Sequence, residues 1–302
     1  MTTTAPHTVR CNILGTLEIW ADRHRIRLGG PIQERVLVTL LLEPGRVVPV
    51  TRLVQTVWDD DPPATAVHQI RKAVADLRRR IPEGASLVVT DGPGYRAVVD
   101  DDQLDLSRFH RLTAQARRDV AAGLTDQAAD RLCEALALWR GSVMAGRGGA
   151  ALTAAATALD ERRLTATEQL YQLRLDRGEA GELIGDLRAL VAEHPLCENL
   201  RGQLMLALYR SGRAAEALEE YGRARALLVE ELGMDPGPRL TRLYEAILRA
   251  AEELAAPEQP AAPAPAPPTA PQPPAPLSPS TLPYYLTDFT GRERELGQLL
   301  AG

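Results

Sequence analysis

The 302-residue sequence predicts an α+β segment followed by an all-α segment. Aromatic residues make up only 4% of the chain, whereas alanine, leucine and arginine are abundant, and this composition favours helices over an all-β fold. Strand-type and helix-type patterns alternate before Asp100, and helical patterns then continue to Leu254. A hydrophobic content of 45% is enough for two domains with cores of their own.

Paired strands and two helices are predicted first. Apolar and polar residues alternate in the stretch 9–28, where the residues ADRH form a turn between strands. The stretch 31–42 predicts a helix because a proline suits the first helical position and apolar residues follow it. A second helix is predicted over 51–58, with Thr51 as its N-cap and the acidic, proline-bearing run DDDPP at its end.

A third helix, predicted over Ala64–Ile81, has two faces of different character. The apolar stripe that we expect to face the core consists of Val67, Ile70, Val74, Leu77 and Ile81. The other side and its flanks carry His68, Gln69, Arg71, Lys72, Arg78, Arg79 and Arg80. Five basic residues and a single acid, Asp76, stand on this helix of a chain whose net charge is −5. The helix could therefore bind a polyanion, and a merely solvated amphipathic helix is the alternative.

A β-hairpin is predicted after the third helix. Its strands are 86–90 and 95–99, its turn has the sequence DGPG, and Tyr95 is expected in its core. Strands, three helices and a hairpin, in this order, predict a winged helix-turn-helix. Residues 1–100 carry a net charge of +2 and residues 101–254 a net charge of −5, so we expect only the first segment to contact nucleic acid.

The helical segment contains a repeat with a period of 34 residues. The equivalent pairs are Leu170 and Leu204, Gly178 and Gly212, Leu183 and Ala217, Leu187 and Tyr221, and Leu190 and Ala224. A weaker earlier copy contains Gly123, Ala128, Leu132 and Ala135. This period is typical of tetratricopeptide repeats, which stack into a superhelix with a concave surface for a partner. A helical scaffold without a ligand is the alternative, and the Gly/Ala-rich stretch Ser142–Ala158 is not expected to be ordered.

Two stretches resemble the Streptomyces antibiotic regulatory protein (SARP) family. One resembles its DNA-binding domain, similar in fold to OmpR-type regulators, and reads QERVLVTLLLEPGRVVPVTRLVQTVWDDDPPATAVHQIRKAVADLRRRI, followed by GYRAVV. The other resembles its bacterial transcriptional activation domain and includes LDLSRF, ALALWRG and LRALVAEHPLCENLRGQLMLALYRSGRAAEALEEYGRARALLVEELGMDPGPRL. The resemblance covers about residues 9–250, which gives a winged-helix domain over 9–100 and a tetratricopeptide-like domain over 101–254.

The resemblance implies that the third helix enters the major groove of DNA and that the wing reaches the neighbouring minor groove. The candidates for contacts with bases are His68, Gln69, Arg71 and Lys72. The candidates for contacts with phosphates are Arg78, Arg79 and Arg96. The basic residues at the end of the helix could instead complement the helix dipole, and His68 could be a plain surface residue.

The resemblance also implies partners in transcription. The loop between the second and third helices would contact RNA polymerase through Asp59, Asp60 and Asp61. Two protomers, a homodimer on DNA, would bind direct repeats near the −35 region of promoters of antibiotic biosynthetic genes, and would recruit the RNA polymerase holoenzyme through its sigma factor and the C-terminal domain of its alpha subunit. The alternative function is a signalling adaptor that works through the tetratricopeptide-like surface.

Enzymatic motifs are not recognisable in the sequence, and neither an enzyme activity nor a cofactor or metal is expected. The cysteines Cys11, Cys133 and Cys197 lie far apart and are interpreted as small buried residues. A membrane partner is not expected, and the protein is predicted to be cytoplasmic and associated with the nucleoid.

The two ends of the chain are predicted to lie outside both domains. Residues 1–8 are expected to be disordered, and 255–283 to form a Pro/Ala-rich linker. The stretch 284–302 resembles the start of a nucleotide-binding domain through the motif FTGRE, as in a fragment of a longer regulator. Lys72 is the only lysine, so this stretch lacks a Walker lysine and ATP hydrolysis is not expected.

Overall fold

The computed structural model describes residues 9–146, 148–250 and 254. An antiparallel sheet opens the chain and consists of β1 (Val9–Asn12), β2 (Glu18–Ala21) and β3 (His24–Ile26) in the order β1-β2-β3. Val9 lies opposite Ala21, and Ile19 lies opposite Ile26. The paired strands predicted for 9–28 are confirmed.

Three helices and a second sheet follow. The elements are α1 (Pro31–Leu42), β4 (Val48–Pro49), α2 (Val50–Trp58), α3 (Ala66–Arg80), the single turn α4 (Gly84–Leu87), β5 (Val88–Asp91) and β6 (Gly94–Ala97). The second sheet has the order β4-β6-β5, and its hairpin β5-β6 is the predicted wing. Tyr95 is 9% exposed, which confirms its place in the core.

Three details of the winged helix differ from the sequence predictions. Thr51 is not an N-cap, because α2 begins at Val50 directly after β4, and the Val50 N–H donates to the Pro93 carbonyl. Val67 is 43% exposed, because its position turns away from the buried stripe of α3, in which small alanines take part. The wing strand begins only at Val88, since the two residues before it belong to α4.

The second half of the described chain is helical. Its elements are α5 (Asp105–Ala121), α6 (Thr125–Ala137), a 3-10 turn (Val143–Gly146), α7 (Ala150–Asp176), α8 (Ala180–Glu193), α9 (Glu198–Arg210), α10 (Ala214–Leu232) and α11 (Pro238–Leu248). The hairpins α5-α6, α7-α8 and α9-α10 each turn at a glycine with positive φ, at Gly123, Gly178 and Gly212. Each turn also repeats the same backbone hydrogen bond, of which Arg213 N to Leu208 O is one. The predicted repeat is therefore confirmed as three equivalent hairpins.

Two interpretations of the helical half are wrong. Within the stretch 142–158, which was not expected to be ordered, residues 150–158 form the first part of α7 because their alanines are strong helix formers, and Arg147 lies outside the described residues. Cys133 is exposed and Cys197 is half-buried, since each lies on a helix side or end that its neighbours leave open. Cys11 is buried as expected, and burial raises the pKa of its thiol to about 12.

Two apolar clusters stabilise the described chain. The larger cluster joins the first sheet, the winged helix and α5–α7, and the smaller one joins α7–α11. Among the described residues, no helix is both long and apolar enough to cross a membrane. The predictions for 1–8, 255–283 and 284–302 lie outside the described residues.

Candidate nucleic-acid interface

The basic face of α3, defined here by His68, Arg71, Lys72 and Arg79, lies on the surface of the winged helix. The side chains of His68, Arg71 and Lys72 make no hydrogen bond or ion pair with any other residue that the structure describes, and Arg79 pairs with Asp76 although its side chain is 75% exposed. The guanidinium and ammonium groups of Arg71, Lys72 and Arg79 are the kinds of donor that bind phosphates and the acceptor edge of guanine.

The opposite side of α3 fixes the orientation of the basic face. Ile70, Val74 and Leu77 are at most 1% exposed and pack in the larger apolar cluster. Gln69, at the flank, is half-buried, and its amide nitrogen donates to the Thr65 hydroxyl over 3.0 Å. The Gln69 amide can still rotate towards a ligand because this bond lies on the surface.

Arg78 connects α3 to the wing. Its Nε donates to the Val88 carbonyl and its terminal nitrogen to the Thr90 hydroxyl, both over 2.8 Å. Its guanidinium also lies 5.8 Å from the centre of the Tyr95 ring. Arg78 therefore has a role within the fold, and its phosphate contact stays a prediction.

Arg96 lies on the wing itself. Its side chain is 40% exposed and its Nε is 3.2 Å from an oxygen of Asp91 at the tip of the same hairpin. Pairs of this exposure contribute little to stability, so the guanidinium can exchange Asp91 for a phosphate.

The acidic loop after α2 divides into two parts. An oxygen of Asp59 accepts a hydrogen bond from the Ala150 N–H over 2.8 Å, so this carboxylate stabilises the N-terminus of α7. The backbone of Asp59 has a φ of 53°. Asp60 and Asp61 are exposed. Sequence reasoning gave no signal for the Asp59 contact, because its partner is a backbone group 91 residues away.

A buried carboxylate fastens the first sheet to α5. Asp105 is 4% exposed and accepts hydrogen bonds from the Ile13 and Leu14 N–H groups over 2.8 and 2.9 Å. Arg140 approaches the same carboxylate to 3.3 Å and also donates to the Thr16 carbonyl. Burial raises the pKa of Asp105, and the two N–H donors and Arg140 oppose this effect. The sequence carries no signal for this role of Asp105, because two of its partners are backbone N–H groups.

The exposed groups of this site are hydrogen-bond donors, most of them positively charged, and can bind an anionic partner. Within the part of the chain that the structure describes, no group of three or more His, Cys, Asp or Glu side chains could hold a metal ion. The arrangement consists of a rigid helix with exposed cationic donors, a wing fixed to it by Arg78, and a helical domain attached through Asp59 and Asp105.

Two family models match the chain. Residues 26–97 match "Transcriptional regulatory protein, C terminal", and residues 104–248 match "Bacterial transcriptional activator domain". The boundary between the two matches falls between the wing and α5.

Known regulators resemble the chain over most of its length. The regulatory protein AfsR of Streptomyces griseus is 40% identical over 97% of this chain, which spans 29% of AfsR. The regulatory protein DnrI of Streptomyces peucetius is 37% identical, with 76% of this chain and 88% of DnrI covered. A solved structure of Mycobacterium tuberculosis EmbR, in complex with a low-affinity phosphopeptide, is similar with a TM-score of 0.77, at 33% identity over 81% of this chain and 66% of EmbR. The chain belongs to the SARP family of transcriptional activators.

Proposed function

We propose that the chain is a sequence-specific DNA-binding activator whose helix α3 lies in the major groove of promoter DNA. The observation that carries this proposal is the basic face of α3, which is exposed and adjacent to the wing. The opposite side of the helix is buried in the larger apolar cluster, which fixes the orientation of this face. The similar proteins AfsR and DnrI are regulatory proteins, and this similarity supports a role in transcription. Cytoplasmic localisation on the nucleoid follows from this function.

Base contacts and phosphate contacts divide between the two ends of α3. His68, Gln69, Arg71 and Lys72 lie in its N-terminal half, from which a recognition helix reads bases. Arg79 at the end of α3 and Arg96 on the wing would bind phosphates and fix the position of the helix. Arg78 would join them if its side chain leaves its partners within the fold.

A binding experiment separates these two roles. Lys72→Ala is expected to cost about 1–3 kcal/mol on the cognate site and to reduce the preference for it over scrambled DNA. Arg79→Ala is expected to weaken binding to both sequences alike and to reduce the salt dependence, d log K/d log[salt], by about 0.9. Fluorescence anisotropy of labelled promoter fragments over a salt series measures both quantities. Equal effects of the two changes on specificity would contradict the assignment.

The targets and the assembly follow the SARP pattern. We propose that two protomers bind direct repeats near the −35 region of promoters, about one helical turn apart, and activate antibiotic biosynthetic genes. Footprinting upstream of such genes is expected to show two equal protected segments per complex. A single protected segment, at saturating protein, would contradict binding as a pair of protomers.

RNA polymerase would be recruited through the loop after α2. Asp60 and Asp61 are the exposed acids of this loop, and Asp59 contributes by holding the loop against α7. Sigma factor and the C-terminal domain of the alpha subunit are the proposed partners. Replacing Asp60 and Asp61 by alanine is expected to lower transcription in vitro without changing promoter affinity, whereas a loss of promoter affinity would contradict this role.

A further inference from the structure

A cavity of about 210 Å³ lies where the winged helix meets the helical half of the protein, and we call it the interdomain cavity. Side chains of α1 and α2 line one side of it, and side chains of α5 and α7 line the other. Small-molecule sites occur preferentially at such interfaces between domains, and pockets for drug-sized ligands have volumes of about 300–1,000 Å³. The interdomain cavity would therefore hold a compound smaller than these.

The wall formed by the helical half is apolar. Leu106, Leu152 and Leu159 line the cavity and are buried. Ala155 and Ala158, also on α7, line it as well, and their small side chains leave the space that larger residues would fill. Space that no atom fills costs a folded protein stability, because the residues around it lose contacts. An apolar ligand body would regain these contacts.

The wall formed by the winged helix adds no net charge. Thr39 and Thr56 line the cavity, but their hydroxyls donate over 2.6 and 2.9 Å to the Arg35 and Arg52 carbonyls of their own helices. Glu43 and Arg52 also line the cavity and form an ion pair with each other. The single negative charge on this wall is thus balanced by a single positive one.

The opposite wall carries a positive charge without an acidic partner. Arg162 on α7 lines the cavity, and its one hydrogen bond within the described part of the chain joins its Nη1 to Nε2 of His110 over 2.9 Å. Because a guanidinium can only donate, His110 is the acceptor in this bond. Burial and the nearby Arg162 lower the pKa of His110, so this ring is neutral near pH 7. The other N–H groups of Arg162 can therefore donate to a ligand.

A second cavity, of about 330 Å³ between α5 and α7, adds to this positive charge. It adjoins the interdomain cavity, because His110 and Arg162 line both. Arg117 lines it and forms no ion pair with any residue that the structure describes, and none of the lining residues is an acid. Over both cavities, three arginines and one acid, Glu43, leave a net charge of +2. The exposed Glu161 lines neither cavity.

We infer that the interdomain cavity binds a small carboxylic acid with an apolar body. The body would lie against the leucines and alanines of α7, and the carboxylate would accept two parallel hydrogen bonds from the planar guanidinium of Arg162. A bound acid would contact the winged helix and the helical half at the same time. This inference goes beyond the proposed function, because none of the lining residues belongs to the basic face of α3.

Isothermal titration calorimetry on the intact chain tests the inference with three probes of equal chain length. Octanoate carries the charge that the site requires, octylamine reverses this charge, and 1-octanol removes it. At low salt, octanoate is expected to bind at one site per chain with a Kd below about 1 mM, and at least about tenfold more tightly than either of the other probes. Saturating octanoate should also raise the Tm, because it binds the folded state.

Charge removals locate the carboxylate. Arg162→Gln is expected to weaken octanoate binding by about tenfold or more, because it removes the paired donors. Arg117→Gln, in the second cavity, is expected to weaken it by about two- to fivefold through the loss of a nearby charge. Arg118→Gln is the matched control: Arg118 neighbours Arg117 on α5 but lines neither cavity, so the change should stay below about twofold.

A change of volume locates the apolar body. Ala155→Leu fills part of the interdomain cavity without altering its charge and is expected to weaken octanoate binding by about tenfold or more. Ala154→Leu is the matched control, since Ala154 is exposed on the same helix and lines neither cavity, and it should change binding by less than about twofold. Circular dichroism verifies that each variant is folded.

Four results would overturn the inference. They are a failure of octanoate to bind up to about 1 mM, binding of octylamine or 1-octanol as tightly as octanoate, equal losses in Arg162→Gln and Arg118→Gln, and equal losses in Ala155→Leu and Ala154→Leu. Without any probe, the promoter affinity of Arg162→Gln is expected to equal that of the unchanged protein. A failure of the DNA-binding proposal would therefore be recognised separately.

Discussion

Asp105→Ala is expected to lower the free energy of unfolding by removing a contact between the loop after β1 and helix α5. The change removes the acceptor of two buried N–H groups, those of Ile13 and Leu14. Each buried donor left without a partner costs about 1–3 kcal/mol. The Arg140 pair adds less than about 1 kcal/mol, since the Arg140 side chain is 32% exposed. These contributions sum to an expected loss in the free energy of unfolding of about 2–7 kcal/mol, with a central value of about 4 kcal/mol.

Thermal and urea unfolding, followed by circular dichroism, measure this loss. For a protein of this size the expected fall in Tm is about 10 °C. Asp102→Ala is the matched control: Asp102 pairs with Arg111 over 2.6 Å, but its side chain is 77% exposed, so the loss should stay below about 1 kcal/mol. Equal losses in the two variants would refute the role given to Asp105.

The penalty of Asp105→Ala should also depend on pH. Burial raises the pKa of Asp105 in the folded state. The contribution of Asp105 to the free energy of unfolding is therefore fully present below its unfolded pKa of about 3.9, and it decreases as the pH rises through the folded pKa. The difference in unfolding free energy between the unchanged protein and the variant should thus be larger near about pH 4 than near about pH 7. A difference that increases with pH would contradict this sign.

Three further changes test other contacts. Arg78→Leu should free the wing from α3 and lower promoter affinity by about tenfold with little loss of helix, as measured by anisotropy and circular dichroism; unchanged affinity would contradict a positioning role. Gly94→Ala should cost about 1–3 kcal/mol in thermal unfolding, because its Cβ would lie 2.1 Å from the Val48 carbonyl oxygen, and a neutral change would contradict this close approach. Glu220→Ala should cost about 3–5 kcal/mol in urea unfolding, since it leaves the buried Arg201 without its charge partner, and a loss below about 1 kcal/mol would argue against this pair.

Local patterns predicted the elements of the fold well. The helix 31–42 agrees with α1 residue for residue, because a proline and an uninterrupted apolar run define it. The spacing between Gly178 and Gly212 predicted two of the helical hairpins, since each hairpin needs a residue with positive φ at the same position of its turn.

Contacts between distant parts of the chain could not be predicted in this way. Asp105 and Asp59 accept from backbone N–H groups more than 90 residues away, and a backbone partner leaves no residue type to recognise. Val67 fits the apolar stripe by spacing, but the stripe is centred on positions that include Ala66 and Ala73. Alanine carries too little hydrophobic signal to reveal this rotation of the buried face.

Chemical protection of guanine N7 atoms tests most directly whether α3 lies in the major groove. Dimethyl sulfate methylates N7, which is exposed only in that groove. We expect protected guanines within each half of the bound site, and loss of this protection in Lys72→Ala at protein concentrations that still saturate the DNA. Tight binding with every guanine N7 still reactive would contradict it.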